Sequence, residues 1–267
     1  MAFYVVQFLS GLSTAATLFL VAAGLSIIFG VTRIVNFAHG SFYMLGAYLA
    51  YTLSERLTGP VGFWGAVALA AVGVGILGVV MEVVLLRRLY DSPELFQLLA
   101  TFGVVLIVQD LALAIWGPED LLGPRAPGLS GRVRIFGQPF PQYELALIAF
   151  GPVVLGLLWL LFHRTRWGTL VRAATQDREM TAALGVNQSR LFTGVLFLGS
   201  LLAGLAGALQ IPREAVNLHM DFNIIAEAFV VVVVGGMGSI TGAFLAAVLI
   251  GELQAFGILI FPRLYAG

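Results

Sequence analysis

Apolar residues fall in long runs separated by short polar breaks along the whole chain. The first run, about residues 8–29, is long enough for a membrane-spanning helix, which needs roughly 20 apolar residues. A polar knot follows, Thr32-Arg33-Ile34-Val35-Asn36-Phe37-Ala38-His39-Gly40-Ser41. The apolar piece after it, about 42–53, would rise only ~18 Å as a helix, short of a ~30 Å hydrocarbon core. Either its helix begins back at Ile34 or the element is broken. Further spans are predicted over about 63–86, 95–116, 143–162 and 191–211. A short run at 224–234 is interrupted by Gly235-Gly236-Met237-Gly238-Ser239, and a last run extends from 240 to about 261. This pattern predicts an all-α polytopic membrane protein of about eight transmembrane or broken helices, one domain over residues 1–267.

Two stretches are plainly polar. Residues 117–142 hold five Pro, five Gly and three Arg, and read as an external loop with a short hairpin. Residues 163–190 hold five Arg. Because positive charge is retained in the cytoplasm, this loop is placed there. Alternation then puts eight Arg inside (33, 87, 88, 164, 166, 172, 178, 190) and six outside (56, 125, 132, 134, 213, 263), with the N-terminus outside.

Composition agrees with that pattern. The chain is 60% hydrophobic and 10% charged, against about 25% charged in soluble domains. Twenty-eight charges cannot cover a soluble surface of this size. A soluble enzyme, a disordered chain and a nucleic-acid binder are excluded, the last also by the zero net charge. All 14 positive side chains are Arg, and Cys is absent. Residues 1–30 carry no positively charged n-region, so the first run is expected to remain as a span rather than be cleaved.

Little here supports catalysis. His39, His163 and His219 lie far apart, without the spacing of a metal site. Without Lys there is no phosphate-binding loop, and no Gly-x-Ser-x-Gly elbow occurs. No enzyme activity and no cofactor are expected. Ionisable residues inside spans are Glu82, Asp110 and Glu252. They are expected to pair within the bundle, since buried charge is costly in a membrane. Small residues recur every four positions at Gly199, Ala203 and Gly207, and at Gly238, Gly242 and Ala246, a spacing that lets helices pack closely. Gly40-Ser41 with 46–50 is weakly similar to Gly238-Ser239 with 242–246. Paired interrupted helices of this kind point to a transport pathway.

The stretch 172–187 predicts a short amphipathic helix. Thr175 can cap it, Asp177 and Glu179 suit its first turn, and Gly185 stops it. Met180, Ala183 and Leu184 share a face. Such a helix either lies on lipid headgroups or docks a cytoplasmic partner through the small tip Ala182-Ala183-Gly185.

The run Ile28-Phe29-Gly30-Val31-Thr32-Arg33-Ile34-Val35-Asn36-Phe37-Ala38-His39-Gly40, with Met44-Leu45-Gly46-Ala47-Tyr48, resembles the N-terminal signature of the LivH-type permeases. These are membrane subunits of ABC importers for branched-chain amino acids. Arg172-Ala173 through Gly185-Val186-Asn187 resembles that family's cytoplasmic coupling loop. Glu227-Ala228, then 231–239 and Gly242-Ala243, is similar to its C-terminal signature. Family members continue through a further apolar helix to a basic tail, whereas this sequence stops at Pro262-Arg263-Leu264-Tyr265-Ala266-Gly267.

The resemblance implies the ABC importer permease fold and alternating access in the inner membrane. It implies two cytoplasmic ATPase subunits, a second related permease and a periplasmic or extracellular substrate-binding protein. Arg172, Thr175, Met180, Ala182, Ala183, Leu184 and Gly185 would receive the ATPases. Asn36, Phe37, His39, Gly40, Ser41, Gly235, Gly236, Met237, Gly238 and Ser239 would border the path, where broken helix ends expose backbone N–H and C=O groups. Phe37, Phe42, Val233 and Met237 would form its apolar wall. Related permeases carry urea or short amides, and a self-sufficient ion-coupled transporter is the rival class.

Overall fold

The computed structural model of the chain describes residues 2–57 and 59–260. The stretch 262–267, where the sequence departs from the LivH pattern, lies outside the described residues. Ten α-helices follow in order: α1 (Ala2–Thr32), α2 (Ala38–Arg56), α3 (Pro60–Val84), α4 (Glu94–Trp116), α5 (Gln142–Arg164), α6 (Arg166–Gln176), α7 (Arg178–Ala183), α8 (Gln188–Gln210), α9 (Met220–Gly235) and α10 (Ile240–Ile260). A 3-10 turn, Leu86–Arg88, extends α3. The loop after α4 contains the hairpin β1 (Arg132–Ile135) and β2 (Gln138–Pro141). Among the described residues, six helices are long and apolar enough to cross a membrane: α1, α3, α4, α5, α8 and α10. The shorter α2 and α9, of 19 and 16 residues, complete the bundle.

The core is built around α8, whose buried face carries a run of small residues in its second half. Gly199, Ser200, Ala203, Gly204, Ala206, Gly207 and Ala208 are buried along it. These positions let three neighbours approach to backbone distance. A Cβ on Gly199 would sit 2.8 Å from the Gly24 carbonyl of α1. A Cβ on Gly46 of α2 would meet the backbone of Gly204, and one on Gly207 would strike the Tyr43 carbonyl. On α3, Gly75 and Gly78 face Phe197, Leu201, Ser200 and Leu196 of α8. Between helices in lipid, where no hydrophobic force drives association, such close packing and hydrogen bonding supply the adhesion.

Contacts fix the direction of each helix. As α3 descends, α8 rises past it, from Gly75 beside Leu201 to Glu82 bonded to Thr193 at 2.8 Å. Helix α1 runs opposite to α10, from Gly11 beside Gly251 to Ser26 bonded to Gly238 at 3.0 Å. It runs alongside α5 in the same direction, from Ser13 beside Glu144 to Ala16 beside Gly151. One end of the bundle therefore gathers Arg33, Arg87, Arg88, Arg164, Arg166, Arg172, Arg178 and Arg190. The opposite end gathers the hairpin, the α8–α9 loop and the α2–α3 turn. There an isolated bridge joins Leu121 to Val216, so the two long loops pack together.

The expected membrane acids behave differently from one another. Glu82 is fully buried and pairs as expected, accepting from Arg87 Nη2 at 2.9 Å, Thr193 at 2.8 Å and Tyr90 at 3.3 Å. Asp110 does not pair inside the bundle, because α4 turns it to the exposed face. Among the described residues neither carboxylate oxygen of Glu252 has a hydrogen-bond partner, and its side chain lies against the bare backbone of Gly11.

The α8 contacts generate one stability test. Gly207→Val must force α2 away from α8 and is expected to cost about 1–3 kcal/mol, as overpacking does. Gly65→Ala, where nothing lies within 4 Å, is expected to gain up to ~1 kcal/mol through helix propensity. Thermal unfolding of the detergent-solubilised variants measures both, and a lower midpoint for Gly65→Ala than for Gly207→Val would contradict the packing account.

Candidate functional site

The polar knot after α1 is a reversal that drops back into the bundle. Thr32 bonds the Ile28 carbonyl at 2.8 Å and accepts from the Ile34 amide at 3.2 Å. Arg33 then adopts the left-handed conformation (φ 58°), uncommon for a non-glycine residue, and turns the chain around. Residues 34–36 return as non-helical chain along α4, and Phe37, already in the helical region (φ −67°, ψ −29°), donates its amide to Thr101 at 3.4 Å. Helix α2 then begins at Ala38, deep beside the middle of α1: His39 Nε2 donates to the Val21 carbonyl at 2.9 Å. The helix therefore begins neither at Ile34 nor at Phe42, and its 19 residues suffice because the non-helical return has already covered part of the depth.

This start of α2 is held by α9. The Gly40 backbone packs on the Asp221 carbonyl, a contact that any side chain would block. The Asp221 carboxylate, 1% exposed, accepts from Gln109 at 3.0 and 3.1 Å, from Ser41 at 3.5 Å and from the Phe222 amide at 2.8 Å. Placed in the first turn of α9, it also meets the positive end of that helix dipole. Asn36 is fully buried, and among the described residues neither polar atom of its side chain is hydrogen-bonded.

The second break separates α9 from α10. Gly236 and Gly238 take φ of 87° and 89°, a conformation that costs a Cβ-bearing residue 1 kcal/mol or more. Ser239 accepts from the Gly242 amide at 3.0 Å and caps α10. Gly235 lies against the Gly242 backbone, which folds α10 tightly back on α9.

Both breaks border one apolar cavity of about 240 Å³, which joins Phe37 and Val35 to Val233 and Met237, with Phe29 and Phe229 beside them. Phe42 lies elsewhere, in a groove between α2, α3 and α4. His39, Gly40 and Ser41 are buried in the α1–α2–α9 contact, and Gly238 and Ser239 border a second cavity of about 300 Å³ at the Arg-rich end.

That second cavity links the break to the 172–187 stretch. Arg172, Thr175 and Gln176 line it with Gly30, Gly238 and Ser239. Gly30 and Gly238 touch backbone to backbone, and the Thr175 methyl is against both. The stretch itself is two helices rather than one. Thr175 ends α6, bonding back to the Val171 carbonyl at 3.0 Å. The cap of the following helix is Asp177, which accepts from the Met180 amide at 2.9 Å, so Asp177 lies outside the first turn and Thr175 is no cap. Gly185 (φ 84°) does stop α7.

Helix α7 is anchored at its start and free at its tip. Arg178 stacks on Phe192 (4.7 Å) and Tyr90 (5.6 Å) and exchanges hydrogen bonds with Gln188. Arg172, Ala182, Ala183 and Gly185 are exposed, and Met180 and Leu184 are 59% and 78% exposed. Sequence reasoning missed Thr101, Gln109, Asp221 and Arg178. An acid at the start of an apolar run was the available signal for Asp221; the others depend on tertiary contacts.

The comparisons with known proteins agree with this architecture. A family model described as branched-chain amino acid transport system / permease component matches residues 7–266. The chain is 28% identical to the BraD high-affinity branched-chain amino acid transport system permease protein of Pseudomonas aeruginosa, over 98% of this chain and 89% of that one. It is 26% identical to LivH of Escherichia coli, over 95% and 85%. With LivM of Salmonella typhimurium it shares 27% identity, over 85% of this chain and 58% of that one. No solved structure matches. An all-α bundle of apolar helices that the family model covers almost end to end is a transport subunit, not an enzyme or a self-sufficient ion-coupled carrier: the chain belongs to the branched-chain amino acid permease family.

Proposed function

We propose that this chain is one permease of a binding-protein-dependent ABC importer in the inner membrane, and that it carries branched-chain amino acids. The observation that carries the reading is the α6–α7 elbow. It presents an exposed apolar tip, Met180 and Leu184, and its other end rests on the α9–α10 break through Thr175. Two cytoplasmic ATPase subunits supply the work, one of them docking on α7. A displacement of α6 is then felt directly at Gly30 and Gly238. The apolar cavity between the breaks suits an aliphatic side chain, and its lining of aromatic and branched residues favours that over urea or a short amide.

The Arg-rich end faces the cytoplasm, as retained positive charge requires, so the hairpin end receives a soluble binding protein. A second permease covers the face of α4. That helix exposes Leu99, Ile107 and Ile115 together with Asp110, and an aspartate left against lipid is costly. The relationship to both LivH and LivM is consistent with two related subunits side by side.

Three outcomes are expected. The chain has no cysteine, so single introduced thiols report sidedness. In intact cells a membrane-impermeant maleimide should label Arg134→Cys, and should label Leu184→Cys only after permeabilisation; the reverse pattern rules out the orientation. Leu184→Glu should lower the yield of co-purified ATPase at least roughly tenfold, the loss of one apolar anchor at an interface. Undiminished yield would mean that α7 is not the docking helix. Met237→Trp should fill the apolar cavity and slow uptake by reconstituted complexes about tenfold, equivalent to ~1.4 kcal/mol on the barrier, with ATPase assembly intact. Wild-type uptake by that variant would remove the cavity from the path.

A further inference from the structure

A third cavity, of about 290 Å³, lies at the hairpin end between α1, α2, α9 and α10 and the loop after α8. Its walls are largely polar and charged. Arg213, Glu214 and Glu227 line it, with Tyr43, Gln210 and Gln254 among their neighbours. Its electrostatics are lopsided. Arg213 is already neutralised by Glu144, with Nε 3.0 Å from Oε1. The rest of its guanidinium is engaged by Gln210 at 3.2 Å, Thr14 at 3.4 Å and Thr17 at 3.5 Å. Among the described residues, the hydrogen-bond partners of Glu214 and Glu227 are neutral amides, Gln210 and Gln254 respectively. Among the described residues the ion pairs are Arg87–Glu82 and Arg213–Glu144, so neither of these two carboxylates has a cation.

A second observation is independent of that charge count. Tyr43 is 4% exposed and lines the same cavity. Its hydroxyl lies within electrostatic reach of Glu214, Arg213 and Glu227, and has no hydrogen-bond partner among the described residues. The cavity thus holds two uncompensated carboxylates and an unengaged phenolic oxygen, beside apolar wall from Leu18 and Ile224. An ammonium group has three N–H donors and no acceptor, which matches those three oxygens. Among the described residues that line the cavity, no free cation remains to take a carboxylate.

We propose that this cavity is an ammonium-recognising entry subsite. Glu214, Glu227 and Tyr43 take the α-ammonium of an arriving amino acid, while Leu18 and Ile224 meet its aliphatic part. The proposal rests on the importer reading above but adds a location and a selection rule: the site reads the amine end of the molecule.

The test uses the assembled transporter with a single reporter thiol, Asn223→Cys, at the edge of the cavity. Three ligands are compared: leucine, 3-methylbutylamine (ammonium, no carboxylate) and 4-methylpentanoate (carboxylate, no ammonium). Labelling of the thiol by an impermeant maleimide should slow by a factor of 1 + [L]/Kd, about tenfold at ~10 times Kd. Leucine and 3-methylbutylamine should protect, and 4-methylpentanoate should not. Adding Glu227→Gln should weaken protection by leucine roughly tenfold, as loss of one charge-assisted hydrogen bond does. Equal protection by both analogues, unchanged protection in Glu227→Gln, or no protection by leucine would each overturn the proposal. ATP-driven leucine uptake by the wild-type complex is measured separately. Its absence, with amine protection present, would refute the importer reading and leave the amine site standing.

Discussion

Backbone-to-backbone contact along α8 is the constraint on which the rest of the bundle depends. A helix surrounded by lipid gains nothing from hiding apolar side chains against other apolar side chains. It gains from proximity, and proximity requires that side chains be missing at the crossing points. Gly199, Gly204 and Gly207 supply that on α8, matched by Gly24, Gly46 and the Tyr43 carbonyl on its neighbours. With α1, α2 and α3 held this closely, the deep start of α2 has somewhere to sit. His39 reaches the Val21 carbonyl only because α1 and α8 leave no intervening layer.

The two helix breaks solve one problem in different ways. Non-helical backbone within a membrane must find partners inside the protein. After α1, a threonine from another helix supplies them: Thr101 accepts from the Phe37 amide and lies near the Val35 carbonyl. Between α9 and α10 the partners are serines, Ser26 for the Gly238 amide and Ser239 for Gly242. Both solutions leave an apolar cavity between them, and the α6–α7 elbow lies beside the second break and the last turn of α1.

Much of this fold was legible in the sequence. The long apolar runs gave six spans to within a few residues, and the Gly-rich interruption at 235–239 marked a true break. The length of α2 misled, because a non-helical return such as 34–36 has no periodic signal and its apolar residues, Ile34 and Val35, look like helix or loop equally well. The α6–α7 boundary misled for a related reason. Thr175 and Asp177 are both good caps, two residues apart, and only the tertiary position of α6 decides between them. The partners of membrane acids were the least legible. Glu82 found Arg87 five residues away in sequence, whereas Asp221 relies on Gln109 and Ser41 from other helices. The outer cavity left no motif, since its oxygens come from α2, α9 and the loop after α8.

The contact between Gly30 and Gly238 has one more implication. Side chains at an interface act as springs, since a rotamer change absorbs an ångström or two of motion at little expense. Here neither partner has a side chain, and the nearest other atom is a methyl group on Thr175. No rotamer at Gly30 or Gly238 can absorb a displacement, so relative motion of α1 and the α9–α10 break must be taken up by the backbone.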